Sequence, residues 1–177
     1  MPAPKKKKTK AGSKKATPGS SDLIVRKQIA QFLEESHAHA GFDAAVDDFP
    51  PELRGRKPPG AAHTAWQLLE HMRIALWDIL EFSRDGRHKS PKWPEGYWPE
   101  SETPPNEKAW DESVRRFRAD RRAMQKLVLD KTRDLSAIVP YGQSQTLVRE
   151  ALILIDHNAY HTGQLVLLRR LLGAWKG

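Results

Sequence analysis

The feature that most constrains the fold is a long apolar segment near the C-terminus that contains two histidines. The run LVREALILIDHNAYHTGQLVLLRRLLGAW has helical periodicity and reaches Gly173, a residue type that commonly ends helices. His157 and His161 lie four residues apart, so they share one face of this helix. The same face carries Glu150, Ile153, Leu154, Gln164, Leu168 and Leu171. We therefore expect both imidazoles to point into a protein core.

Three further segments have helical periodicity, and no segment alternates in the manner of a β-strand. With the C-terminal run this makes four predicted helices, at about Asp22 to His37, Thr64 to Ser83, Asn106 to Lys131 and Gln145 to Leu172. Ser21 or Asp22 is the predicted cap of the first. The second begins at a capping box formed by Thr64 and Gln67. This pattern predicts an all-α fold, a four-helix bundle.

The connection between the second and third helices is long and rich in proline and aromatic residues. Its sequence, DGRHKSPKWPEGYWPESETPP, exceeds what an antiparallel hairpin requires. We therefore expect a crossover that leaves these two helices parallel. Its Trp93, Tyr97 and Trp98 either form a lid over apolar surface or line a ligand pocket.

The chain of 177 residues is long enough for one domain with a substantial core. Residues 1–20 contain seven lysines and no acidic residue, and they supply most of the net charge of +8. We predict a disordered Lys-rich arm at 1–20 and a helical domain at 21–177. The arm is either a simple solvated terminus or an electrostatic contact for nucleic acid or another anionic surface.

Cysteine is absent from the sequence, which excludes disulfides and thiolate ligands. Any metal site is therefore limited to His, Asp, Glu and water. No run approaches the ~18 apolar residues of a membrane span, and no signal segment follows the lysines. We expect a cytoplasmic protein with no membrane contact.

A third histidine extends the pattern of the C-terminal pair. His71 lies in the second helix, on a mostly apolar face that it shares with Leu68, Ala75 and Asp78. Three inward imidazoles on two helices can hold a divalent metal ion and leave a position open. The residues alone equally allow three core histidines that hydrogen-bond within the protein.

The sequence resembles the DinB/YfiT-like superfamily of metalloenzymes over about residues 22 to 176. The resemblance is carried by WQLLEHMRIALWDILEF, by SPKWPEGYWP and by REALILIDHNAYHTGQLVLLRRLLG. It implies a four-helix bundle of DinB/YfiT-like type with long crossover connections, often dimeric. It also implies a metal bound by His71, His157 and His161, with zinc or nickel as the first expectations.

Two classes of function follow from this interpretation. The resemblance implies a metal-dependent enzyme, such as a transferase or isomerase that uses a low-molecular-weight thiol. Metal-dependent hydrolysis would use the same ligands, with Glu150 or Asp78 as a catalytic base. The alternative is a non-catalytic metal-binding stress or interaction protein. We also expect Gln164 to reach a water on the metal, and we expect His63, His37, His39 and His88 to lie outside the ligand set.

The two histidine helices also carry apolar side chains opposite their histidines. Trp66, Leu69, Leu76, Trp77 and Leu80 lie opposite His71, and Val148, Leu152, Ile155, Ala159 and Val166 lie opposite His157. Because monomers rarely expose large apolar patches, this pattern predicts a homodimer through these two surfaces. The competing explanation is that the aromatic connection and the segment from Phe42 to Pro51 cover them within one chain.

Overall fold

The fold is built from four long helices and one short helix. The computed structural model describes residues 19–34 and 37–175. The helices are α1 (Ser20–Glu34), α2 (Phe42–Val46), α3 (Ala65–Arg84), α4 (Ala109–Leu129) and α5 (Leu147–Leu171). Within these described ranges there is no β-strand, and only one isolated bridge joins Ile138 and Thr146. The predicted all-α class is confirmed, and the Lys-rich arm lies outside the described residues.

The predicted start of α3 and the predicted end of α5 were correct. Thr64 and Gln67 form the expected capping box at the start of α3. Gly173 follows α5 with a φ of 71°, a conformation that glycine adopts without a steric penalty. The predicted cap of α1 was wrong, because Ser21 and Asp22 lie inside the helix and Asp22 pairs with Arg26 one turn later.

The long helices pack as a bundle in which α3 and α4 run in the same direction. Ser113, near the start of α4, donates a hydrogen bond to Glu70, near the start of α3. Further along, Asp120 lies within electrostatic reach of Arg84 at the end of α3. The connection from 85 to 108 therefore returns along the bundle, as its length predicted.

Two other pairs of neighbouring helices, α1 with α4 and α3 with α5, are antiparallel. Gln125 of α4 donates to the carbonyl of Ala30 in α1, and Arg26 donates to that of Val128. On the opposite side of the bundle, α5 packs against α3, so that the end of α5 lies beside the start of α3. The core between the helices is filled mainly by the fully buried side chains Leu69, Met72, Leu76, Leu80, Trp110, Phe117, Met124, Leu154 and Leu165.

One part of the dimer argument does not hold in this fold. Trp66, Leu69, Leu76 and Leu80 on the back of α3 are buried within a single chain, because α4 packs against that helix. On α5, Val166 is buried as well, whereas Leu152 is 52% exposed. Most of the back of α3 is thus covered within one chain, although Trp77 is only half-buried, and the homodimer itself remains a prediction.

No helix within the described ranges has the combined length and apolar character that a membrane span requires.

Candidate metal centre

The antiparallel packing of α3 and α5 brings three histidines together inside the bundle. His71 comes from α3, and His157 and His161 come from successive turns of α5. One ring nitrogen from each lies within 4.8 Å of the others. His71 and His161 are buried and His157 is half-buried. The group predicted from the sequence is therefore assembled, and its composition allows it to hold a metal ion.

The closest contact in the group joins two ring nitrogens. Nε2 of His71 lies 3.0 Å from Nε2 of His157. The third ring is packed against both, with centroids 4.7 Å from His71 and 4.5 Å from His157. Two lone pairs at this distance repel each other, so the contact requires either one shared proton or a cation that both nitrogens bind.

Hydrogen bonds fix the ring orientation of two of the histidines. Nδ1 of His71 lies 2.9 Å from the carbonyl oxygen of Tyr97, and Nδ1 of His161 lies 2.8 Å from Oε1 of Gln164. Both oxygens are acceptors, so both Nδ1 atoms carry the proton and donate it. In each ring, Nε2 then keeps its lone pair. Such an outer contact is the usual support of a histidine that binds a metal.

His157 has a different environment at its second nitrogen. Its Nδ1 is buried without a hydrogen-bond partner among the described residues, and so is Oδ1 of the adjacent Asn158. One atom can donate and the other accepts, so the two are chemically complementary. A proton on Nδ1 would leave Nε2 of His157 free to bind a cation beside Nε2 of His71. A proton on Nε2 would instead be donated to His71 and leave both orphaned atoms as acceptors.

The environment keeps all three imidazoles neutral near pH 7. Burial lowers the pKa of His71, and it also lowers the pKa of His161. For His157, burial and the neighbouring His161 and His71 together lower the pKa to about 4, with Asn158 acting weakly in the opposite direction. Neutral imidazole is the form that binds metal ions, so no proton must be removed before binding at neutral pH.

Trp98 covers one side of the group. Its ring stacks on His71 with centroids 3.9 Å apart and an angle of 2° between planes. It also stacks on His63, at 4.0 Å and 20°. His63 lies outside the three-histidine group, as predicted, and it packs on this aromatic ring. By contrast, Trp93 is 71% exposed, so Trp98 rather than Trp93 is the tryptophan of this connection that covers the histidines.

Asp78 holds the segment that supports His71. Its carboxylate is buried and accepts hydrogen bonds from the Tyr97 hydroxyl at 2.6 Å and from Nε2 of His88 at 2.7 Å. Burial and the bond to Asp78 raise the pKa of Tyr97 to about 12, so the hydroxyl remains a donor. Because the Tyr97 carbonyl accepts from His71, Tyr97 links Asp78 to His71.

The two carboxylates predicted as catalytic bases lie along the helices from the histidines. Asp78 is seven residues after His71, and Glu150 is seven residues before His157, which is about 10 Å along each helix axis. Glu150 is buried, and its carboxylate pairs with Arg149. Their catalytic roles stay predictions. Gln164 was expected near a water on the metal, but it bonds to His161.

Sequence reasoning missed the contribution of His88 and Tyr97. Both lie in the connection between α3 and α4, and their contacts with Asp78 span ten and nineteen residues. Periodicity gives no information about such contacts. The density of aromatic residues in SPKWPEGYWP was the available signal.

Comparison with known proteins identifies the family. No curated protein matches the chain closely enough to count as a relative. The sequence profile of the DinB superfamily matches residues 34–165, about three quarters of the chain. The match includes His71, His157 and His161 and the connection that carries Tyr97 and Trp98. The chain belongs to the DinB superfamily.

Proposed function

We propose that the chain binds one divalent metal ion through Nε2 of His71, His157 and His161 and uses it in a transfer reaction. The observation that carries the proposal is the 3.0 Å contact between Nε2 of His71 and Nε2 of His157, both of them neutral imidazoles. A cation bound there would remove the repulsion between the lone pairs. It would also leave Nδ1 of His157 protonated beside the unpaired Asn158.

An ion held by three imidazoles supplies Lewis acidity and lowers the pKa of a water or thiol that it binds. The protein contributes orientation and exclusion of water. The Tyr97 carbonyl holds the ring of His71, and Gln164 holds that of His161. Trp98 shields the flat side of His71. Zinc and nickel both accept such a set of nitrogen ligands.

The placement of the carboxylates favours transfer over hydrolysis. A hydrolase needs a base within hydrogen-bond reach of the attacking water. Asp78 is bonded to Tyr97 and His88, and Glu150 is paired with Arg149, so both are engaged away from the histidines. A chain without cysteine must obtain a thiol from outside. A low-molecular-weight thiol, activated by the metal for attack on an electrophile, needs neither a carboxylate base beside the histidines nor a cysteine of the chain.

The first test of this proposal is the metal content of the purified full-length chain. We expect about one zinc or nickel ion per chain, and the double variant with His157→Ala and His161→Ala should lose it. His63→Ala is the matched control, because His63 also stacks on Trp98 but lies outside the group. Equal metal content in the double variant and the wild type would overturn the proposed site.

The second test concerns the reaction. The zinc-loaded protein should accelerate the reaction of a small thiol, such as cysteine, with 1-chloro-2,4-dinitrobenzene. The acceleration should disappear in the double variant and persist in His39→Ala, which changes an exposed histidine outside the group and outside the crevice that His63 lines. A metal-loaded protein that gives no acceleration with any small thiol would favour the non-catalytic alternative, with the metal site retained.

A further inference from the structure

An apolar crevice lies beside the metal centre, between the start of α3 and the end of α5. Its volume is about 340 Å³. Its lining includes Ala61, His63, Leu68, Gln164, Leu167 and Leu168. The volume falls within the range of small-molecule sites.

Two polar residues of the crevice wall contact the surroundings of the three histidines. Gln164 lines the crevice and also accepts the hydrogen bond from Nδ1 of His161. His63 lines it as well and stacks on Trp98, which in turn stacks on His71. Its polar groups thus lie at the end nearest the three histidines, and the rest of the wall is apolar.

The chemistry of the wall restricts what it can bind. None of the residues that line the crevice is aspartate, glutamate, lysine or arginine. His63 is neutral at pH 7, because burial and the nearby Lys57 lower its pKa. A charged ligand would lose its hydration here without a partner, whereas a hydrocarbon group would lose only unfavourable contact with water.

We propose that this crevice binds the hydrocarbon chain or ring of the substrate while the polar head of the same molecule reaches the metal centre. The inference rests on the proposed metal site, and it adds the class of substrate: an amphiphilic molecule with a metal-binding head and an apolar tail. Leu68 and Leu168 are 3% and 4% exposed and form a recessed floor. A recessed floor suits a narrow chain better than the convex face of a second protein.

Two hydroxamic acids test the inference on the zinc-loaded full-length chain. Acetohydroxamic acid carries the metal-binding head alone, and octanohydroxamic acid adds six methylene groups. We expect octanohydroxamic acid to bind about 100-fold more tightly by calorimetry, which corresponds to burial of about half of the added chain. Equal affinities would overturn the crevice inference and leave the metal site intact. If neither compound binds although the chain carries zinc, this inference is wrong and the metal site stands; a chain that cannot be loaded with zinc would mean that the metal proposal itself has failed.

Matched variants assign the effect to the crevice. Leu167 is 58% exposed and lines the crevice, so Leu167→Glu places a charge in the wall without disturbing the buried core. It should reduce the preference for octanohydroxamic acid at least about tenfold and leave the affinity for acetohydroxamic acid unchanged. Leu152→Glu changes a similarly exposed leucine of α5 outside the crevice and should keep the full preference.

The same variants distinguish a ligand site from an interface between two copies. If Leu167→Glu halves the mass measured by light scattering while the preference for octanohydroxamic acid persists, the crevice wall belongs to a dimer interface and the inference is wrong. Loss of the preference with unchanged mass supports the substrate site.

Discussion

Replacing Tyr97 by phenylalanine removes a single hydroxyl from the segment that supports His71. That hydroxyl donates to the buried carboxylate of Asp78 at 2.6 Å, while the backbone carbonyl of the same residue accepts from Nδ1 of His71 at 2.9 Å. The phenylalanine ring can keep its packing against Trp93. The substitution therefore tests the hydrogen bond and leaves the carbonyl in the chain.

The expected cost follows from the partners of Asp78. A hydrogen bond to a charged, buried group contributes about 1.5–3 kcal/mol, and Asp78 retains its bond to His88. We expect the free energy of unfolding to fall by about 2 kcal/mol, a decrease in Tm of about 4–8 °C for a domain of this size. Because the segment also orients His71, zinc affinity should fall at least about tenfold.

Thermal unfolding of the metal-free protein and competition with a fluorescent zinc chelator measure the two effects separately. Tyr141→Phe is the control, because Tyr141 is 55% exposed and lies outside the histidine group. Wild-type zinc affinity in Tyr97→Phe would refute the argument that Asp78 positions His71 through this segment. A loss of stability alone would reduce Asp78 and Tyr97 to a structural role.

Further predictions concern stability and assembly. The substitution Arg26→Met should lower the free energy of unfolding in urea by about 3 kcal/mol, because the buried guanidinium donates to carbonyls at and just after the end of α4. Lys27→Met changes an exposed neighbour and is the control, and equal effects of the two substitutions would contradict this prediction. The metal-free protein should lose stability as the pH falls from about 6.5 to 4, because the lowered pKa of His157 means that the unfolded chain binds a proton there more readily than the folded chain does. A free energy of unfolding that does not change over this pH range would argue against burial of the neutral ring. Deleting residues 1–18 should leave the cooperative transition intact by calorimetry. Light scattering should give the mass of two chains, and a single-chain mass would exclude the dimer.

The grouping of the three histidines could be predicted in part because helical geometry fixes which residues share a face. Spacing places His157 and His161 on one face of α5, and apolar neighbours orient that face toward the core. The same reasoning places His71 on the inner face of α3. Which inner residues of two packed helices meet depends on their register along the axis, which helical periodicity leaves open; the family resemblance is what implied that His71 joins the pair. The capping box at Thr64 was predictable from spacing, because it depends on residues three positions apart.

The features that could not be predicted depend on contacts between distant segments. The bonds from Tyr97 and His88 to Asp78 depend on the path of a connection that has no periodicity. The burial of Leu69 and Leu76 depends on which helix packs behind α3, and their apolar pattern alone fits a neighbouring helix or a second chain equally well. The apolar pattern indicates that this surface must be covered, but it does not indicate whether a helix of the same chain or a second chain covers it.

The central claim is that a cation joins the three histidines, and anomalous diffraction tests it most directly. Crystals of the zinc-loaded protein, measured above and below the zinc absorption edge, should give one strong anomalous peak about 2.1 Å from Nε2 of His71, His157 and His161. A zinc-loaded crystal with no peak at this position, and with Nε2 of His157 still 3.0 Å from Nε2 of His71 as in a simple hydrogen bond, would contradict the account.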